Sequence, residues 1–336
     1  MVPPRLVRRV VLAPLLIVLS VALVVLFPLL GVAFGAVGLA RSGRLRAFRV
    51  LCFATIWLLA ETAMLFMCLG LWIASGFGGR LRTDPFRRRH YGVMRWFLDL
   101  LYRGAERAFR LRMSVTSPEE WPSAGLARRP VIVLSRHAGP GDSLLLVHQL
   151  LSVYDRRARV VMSAAIQLDP GIDVVANRLP NVFIQHRKAG EGVFSTQVSQ
   201  LGADLGPDDA LVIFPEGGNW TPGRWRRGIR RLAASGRADL AQRASQMPNL
   251  LPPRTGGTLA ALAACPSADV IFVAHAGLDQ LVSIGDVWRN LPLDQTVHAH
   301  WWRVPASEVP RDAEHEDQVQ WLYAWWERID AWIAER

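Results

Sequence analysis

His137 and Asp142 stand four residues apart in the segment VIVLSRHAGPGDSLLL, which runs from Val131 to Leu146. An imidazole oriented by a carboxylate is a general base. The carboxylate fixes one ring nitrogen as a donor and leaves the other free to take a proton. Gly139, Pro140 and Gly141 lie between the two side chains and can fold the turn so that they meet. Spacing alone also allows a plainer arrangement, with Asp142 capping a helix beside a surface histidine. A second segment, DDALVIFPEGGNWTPGRWRRGIRR, leads through Phe214-Pro215-Glu216-Gly217 into Arg224, Arg226, Arg227, Arg230 and Arg231. Glycines directly after a strand let backbone approach a ligand closely, and the arginine run suits phosphate or an exposed helix face. Ser135 and Ser143 near His137 raise serine hydrolysis, but the chain has no G-x-S-x-G elbow. His275, His298 and His300 fall on strand candidates, with the last two on one face. No third ligand accompanies them, so no metal site is expected.

Elements must bring these residues together. Short apolar runs at Val131–Leu134, Arg159–Met162, Val182–Ile184, Ala210–Phe214, Val270–Ala274 and Val297–Val304 read as strands. Helical periodicity marks Ser143–Tyr154, Phe194–Leu201, Trp225–Ser235, Thr258–Ala264 and Asp317–Ala334. Strands alternating with helices predict an α/β fold, a central mostly parallel or mixed sheet covered by helices. Both chemical segments then sit where strand passes to helix, the usual place for reactive groups in such folds. Met94–Leu111 reads as a further amphipathic helix, with Trp96, Phe97, Leu100, Leu101 and Phe109 among arginines. Trp321, Trp325, Trp326 and Trp332 share helical spacing, which fits either core packing or membrane-interface anchoring.

The first quarter of the chain differs in kind. Val10 to Ala40 is uncharged, and Val50 to Gly79 carries one charge, Glu61. Each is long enough to cross a bilayer, and a signal peptide would be shorter. Arg5, Arg8 and Arg9 precede the first run; Arg41, Arg44, Arg46 and Arg49 separate the two; Arg80, Arg82, Arg87, Arg88 and Arg89 follow. Two plain spans would put the middle cluster outside, against the positive-inside tendency. A monotopic insertion avoids this, with the first run broken at Pro28, Gly31 and Gly35 so that it dips in and returns. Either arrangement leaves the rest of the chain facing the cytoplasm at a cell membrane, expected to be the bacterial cytoplasmic membrane.

This segregation explains a composition that is both apolar and basic. The 336 residues include 39 Lys and Arg against 28 Asp and Glu, a net charge of +11, yet mean hydropathy is +0.18. Lys188 is the sole lysine. A balance this basic points to polyanions, nucleic acid or anionic lipid. No nucleic-acid motif accompanies the charge, which leaves lipid. Cys52, Cys68 and Cys265 lack metal spacing, and three cannot pair completely, against a secreted disulfide scaffold.

HAGPGD followed later by FPEG, each after a strand, resembles the glycerolipid acyltransferases, 1-acyl-sn-glycerol-3-phosphate acyltransferase in particular. LPNVFIQHRK (179–188) resembles that family's third block, and MPNLLPPRTGG (247–257) its Leu-Pro-Arg-Thr segment. VHAHWWRVPASEVP and DQVQWLYAWWERIDAW resemble the last strand and helix of the lysophospholipid subgroup. The resemblance covers roughly residues 90–336. It implies membrane-anchoring segments over 1–79 and an acyltransferase domain over 80–336.

The implied reaction moves a fatty acyl group from acyl-CoA or acyl carrier protein to a lysophospholipid hydroxyl, with lysophosphatidic acid giving phosphatidic acid as the default. His137 and Asp142 are implied as catalytic. Glu216 and Gly217 are implied in the acceptor site, and Arg187 and Arg254 as clamps on the acceptor phosphate. Backbone amides of the glycine-rich turn would stabilise the oxyanion. No cofactor is implied beyond the acyl donor as co-substrate, and membrane phospholipids are the expected surroundings. Three departures bear on the acceptor. Arg136 stands where the family has Asn and could grip a phosphate. Gly218-Asn219 replaces Thr-Arg. Gln185-His186 precedes Arg187, so the basic position of that block falls on His186 or Arg187. A glycolipid acceptor, or a catalytically silent lipid-binding protein of the same fold, are the rival readings.

Overall fold

A computed structural model describes residues 2–41, 44–117, 128–139, 141–184, 191–278 and 284–336. The chain begins with a helical turn, α1 (Arg5–Val7), widens over Arg8–Leu12 and continues as α2 (Ala13–Arg41). The helix α3 (Arg46–Ala74) returns alongside it, and α4 (Asp84–Phe109) follows after a turn. Among the described residues two stretches, Arg5–Ala40 and Arg46–Ala74, are long and apolar enough to cross a membrane. The break that the monotopic alternative placed in the first run does not occur. The helix continues through Pro28, Gly31 and Gly35. Proline removes one hydrogen bond, whereas opening a whole turn would leave several backbone groups unpaired in apolar surroundings.

Seven strands and eight further helices follow among the described residues. They run β1 (Arg112–Thr116), β2 (Val131–Ser135), α5 (Asp142–His148), β3 (Arg157–Ser163), α6 (Pro170–Ala176), β4 (Val182–Ile184), α7 (Glu191–Gly202) and β5 (Asp209–Ile213). Next come α8 (Pro222–Ala234), α9 (Ala238–Ser245), α10 (Thr255–Ala264), β6 (Asp269–Ala276), α11 (Ile284–Asn290), β7 (Thr296–Val304) and α12 (His315–Ala334). The sheet order is β1-β7-β6-β2-β5-β3-β4. Every pairing is parallel except β6 with β7, so the sheet is mixed, as the alternation of elements predicts.

β2 and β5 are buried along their whole length, which is why they read as continuous apolar runs. Alternate residues serve opposite faces. Ile132 and Leu134 join the large core with residues of α7, α9, α10 and α12, including Trp326 and Trp332. Val131 and Val133 face Leu150 and Trp301 on the other side. The C-terminal tryptophans therefore take the core-packing role. Phe272 stacks on Trp325 with ring centroids 4.5 Å apart.

A third cluster joins the N-terminal helices to the domain. Met64 and Cys68 of α3 pack with Tyr91, Phe97 and Leu98 of α4 and with Val175 and Leu179. Gly104 allows α3 to lie close, because a Cβ there would sit 3.3 Å from Ile56. Arg49 donates to the Ala108 carbonyl near one end of α3, and Arg178 to the Cys68 carbonyl near the other. α2 is more exposed, with Val18, Val25, Leu29 and Val32 uncovered.

Candidate active site

Strand register brings the two motifs together. Leu134 of β2 lies beside Ile213 of β5, so the residues three positions further on, His137 and Glu216, emerge side by side. Ser135 pairs with Val273 of β6, which sets His275 on the other flank of His137. His137 and Glu216 stand beyond the carboxyl ends of β2 and β5, and His275 lies at the same end of the parallel neighbour β6, where ligands of open α/β sheets bind.

Asp142 begins α5, and the turn before it folds back as the glycines allow; Gly141 adopts φ +96°. His137 Nδ1 lies 2.9 Å from Asp142 Oδ1 and 3.0 Å from Oδ2. An ionised carboxylate only accepts, so Nδ1 carries the proton and neutral Nε2 is left basic. The Asp142 carboxylate also accepts the amides of Ala138 (2.8 Å), Gly139 (3.2 Å) and Ser143 (2.5 Å). Burial alone would raise its pKa, but His137 and His275 outweigh burial and hold it well below the usual carboxylate range. The same bonds overturn one expectation. Those three turn amides are aimed at Asp142, not at a position where an oxyanion would form.

Glu216 is buried, and both its oxygens are engaged. Oε1 accepts the His137 amide at 2.7 Å, and Oε2 accepts the Leu251 amide at 2.8 Å. The carboxyl thus ties the end of β5 to the catalytic turn and to the 247–254 segment. Burial pushes its pKa up to about 7, against the pull of those amides and of Arg136. Glu216 was expected to contact the acceptor; its contacts make it a brace for His137 instead. Arg136, expected as a phosphate grip, is 2 % exposed. It shares the side of Leu134 and runs into the core, donating to the carbonyls of His275 and Asn249. That orientation takes it out of reach of a ligand.

Gly217 has φ +66°, and a Cβ there would lie 2.8 Å from Arg254 Nε. Absence of a side chain therefore lets the Arg254 guanidinium cross the strand end. The Arg254 amide donates to the Pro215 carbonyl at 2.9 Å, which fixes the start of α10 against the same loop. Arg187 and His186 lie outside the described residues. The arginines of α8 are all exposed, and Arg224 donates to the Asn219 carbonyl.

His137, Ser143, Gly217 and Arg254 line a cavity of about 320 Å³. The cavity is mostly apolar, bounded also by Phe97, Leu98, Leu151, Ile172 and Leu179. Sequence periodicity could not reveal it, because its walls come from α4, β3, α6 and α10. His275 was also missed as a neighbour of the site. Its Nε2 stands 3.6 Å from Asp142 Oδ2 in a buried setting. The available signal was its position at the end of an apolar strand; it was weighed only as a metal ligand, and no metal site was expected. His300 instead bonds the Thr116 hydroxyl and stacks on Trp332.

Residues 112–273 match the family model described as Acyltransferase. The match spans both motifs and ends within β6. Among solved structures, the 1-acyl-sn-glycerophosphate (LPA) acyltransferase PlsC from Thermotoga maritima aligns at 14% identity and a TM-score of 0.45, covering 82% of this chain and 98% of that one. No curated protein matches the sequence.

Proposed function

We propose that this chain, which carries an acyltransferase-family segment over residues 112–273, moves a fatty acyl group from a thioester to a lysophospholipid hydroxyl. One observation carries the reading: an Asp-held histidine lines a mostly apolar cavity. His137 Nε2 takes the acceptor hydroxyl proton, and the oxygen attacks the thioester carbonyl. The tetrahedral centre collapses, the carbon–sulfur bond breaks, and the thiolate recovers the proton from His137. No acyl-enzyme is needed. The apolar cavity suits a fatty acyl chain, which buries about 0.8 kcal/mol per methylene. Arg254 offers a bidentate partner for the acceptor phosphate in that cavity, and lysophosphatidic acid is the preferred acceptor on that ground.

Purified protein, radiolabelled acyl-CoA and a panel of lysolipids test this. Transfer to lysophosphatidic acid is expected, with Arg254→Ala raising the acceptor KM more than the donor KM. If wild type and His137→Ala were indistinguishable on every acceptor, glycolipids included, the enzyme reading would fail and a silent lipid binder would remain.

The N-terminal hairpin is proposed to lie in one leaflet. At 1.5 Å per residue α3 is about 43 Å long, and it is tied to the domain near both ends. Its neighbour α4 exposes Arg88, Arg95 and Arg103. A perpendicular crossing would draw these into hydrocarbon at about 2.5–3.5 kcal/mol each at the centre. Labelling of a cysteine in the 41–49 loop from outside the cell would rule this arrangement out.

A further inference from the structure

We propose a second lipid site, a phosphate-binding cavity at the base of the N-terminal hairpin that takes the headgroup of an anionic membrane glycerophospholipid. It rests on the membrane reading above and adds to it a defined place for one lipid. The cavity measures about 780 Å³ and is bounded by the start of the first helix, the end of α3, the turn after it and the loop following α6. Arg5, Arg9, Arg82, Arg87 and Arg178 line it, and no acidic residue does so among the described residues.

The Asp173 carboxylate beside the cavity is already committed. Asp173 bonds Arg8 at 2.8 Å and Arg9 at 3.3 Å, and accepts from Asn177 at 3.0 Å. Arg178 is held by the Cys68 carbonyl and His90. Arg5, Arg82 and Arg87 make no ion pair among the described residues. Several guanidinium groups converging without counterions repel one another unless an anion sits between them. Guanidinium groups bind phosphate through paired N–H donors.

The opposite wall chooses lipid over a soluble anion. Leu65, Leu69, Trp72 and Leu81 supply it, so the cavity is cationic on one side and apolar on the other. Leu6, Val10, Ile73 and Phe77 expose apolar surface at this same end of the hairpin. A leaflet that accepts that surface sets its phosphate plane at the arginines, and Trp72 suits the headgroup level. The site is separate from the proposed catalytic cavity, since among the described residues Leu179 alone lines both.

Vesicle flotation of the full chain tests the proposal, using phosphatidylcholine vesicles with and without phosphatidylglycerol. The variant R5Q/R82Q/R87Q should lose roughly tenfold or more in affinity for the anionic vesicles while keeping its binding to phosphatidylcholine. R226Q/R227Q/R230Q removes the same charge from α8 and should lose clearly less. R5K/R82K/R87K should recover part of the loss, and circular dichroism melts show whether each variant is folded. Equal losses in the two glutamine variants would overturn the site and leave diffuse attraction. Stabilisation by inorganic phosphate matching that by phosphatidylglycerol micelles, and lost in the pocket variant, would overturn the lipid assignment in favour of a free anion. Wild type that floats with no vesicle would instead sink the membrane reading itself.

Discussion

The carboxyl ends of β2 and β5 and the base of the N-terminal hairpin both gather charge around a cavity, and they settle it in opposite ways. At the strand ends the polar groups answer one another. Asp142 accepts from His137 and three amides, Glu216 from two amides, and Arg136 donates to two carbonyls. At the hairpin base five arginines share a cavity that no carboxylate lines among the described residues. The first arrangement satisfies both carboxylates and leaves the basic nitrogen of His137 over, which is what proton transfer needs. The second is only partly answered from within: Asp173 pairs with Arg9, while Arg5, Arg82 and Arg87 make no ion pair among the described residues. Preorganisation marks the proposed reaction site, and uncompensated charge marks the proposed docking site.

The comparison breaks most sharply on catalysis. His137→Ala should lower kcat by about 10²–10⁴-fold, while vesicle flotation stays at wild-type values. The pocket variant R5Q/R82Q/R87Q should show the reverse in detergent micelles, with kcat retained and anionic-vesicle binding lost. Comparable kcat losses in the two would mean that the hairpin base belongs to the reaction site.

Legibility in the sequence follows the same division. β2, β5 and β6 are short apolar runs because both their faces are covered, so they were read nearly to the residue. The His137–Asp142 pairing was legible because three consecutive turn-formers separate the partners. β1 was missed: Arg112–Thr116 pairs only with β7 and is largely exposed, so it shows no apolar run. α6 and α9 were missed as well, being short helices whose apolar positions are few. Glu216 was read as a ligand contact from the family resemblance, and Arg136 as a candidate phosphate grip where the family has Asn. Their burial depends on which side of the strand each one leaves, and on partners at 249 and 251 that no spacing connects to them. The apolar cavity and the arginine pocket are likewise products of tertiary packing.

Glu216 offers a sharper test of how complete the strand-end arrangement is. Its pKa lies at about 7 in the fold against 4.5 for a free carboxyl. Between those values the folded protein holds a proton that the unfolded chain has released. Stability therefore falls as pH rises through this window, by up to roughly 3 kcal/mol. Glu216→Gln keeps a neutral side chain at every pH and should lose that slope. Denaturant midpoints of both proteins at pH 5 and pH 8 measure it. A wild-type slope equal to that of the variant would mean that Glu216 is ionised throughout, held by its two amides more strongly than burial opposes them.

The smallest effect concerns the link between Gly217 and Arg254. Gly217→Ala places a methyl 2.8 Å from Arg254 Nε at a backbone φ of +66°. The left-handed backbone costs about 1–2 kcal/mol with a Cβ present, and the guanidinium must move aside. Turnover depends on His137, whose carboxylate partner and amide bond to Glu216 are untouched, so kcat should change little. The acceptor KM should rise by about tenfold, the size of one lost charge-assisted hydrogen bond. Because the substitution acts through Arg254, it should add nothing further in an Arg254→Ala background. Additive KM effects would separate the two residues, and Gly217 would then owe its role to the turn alone.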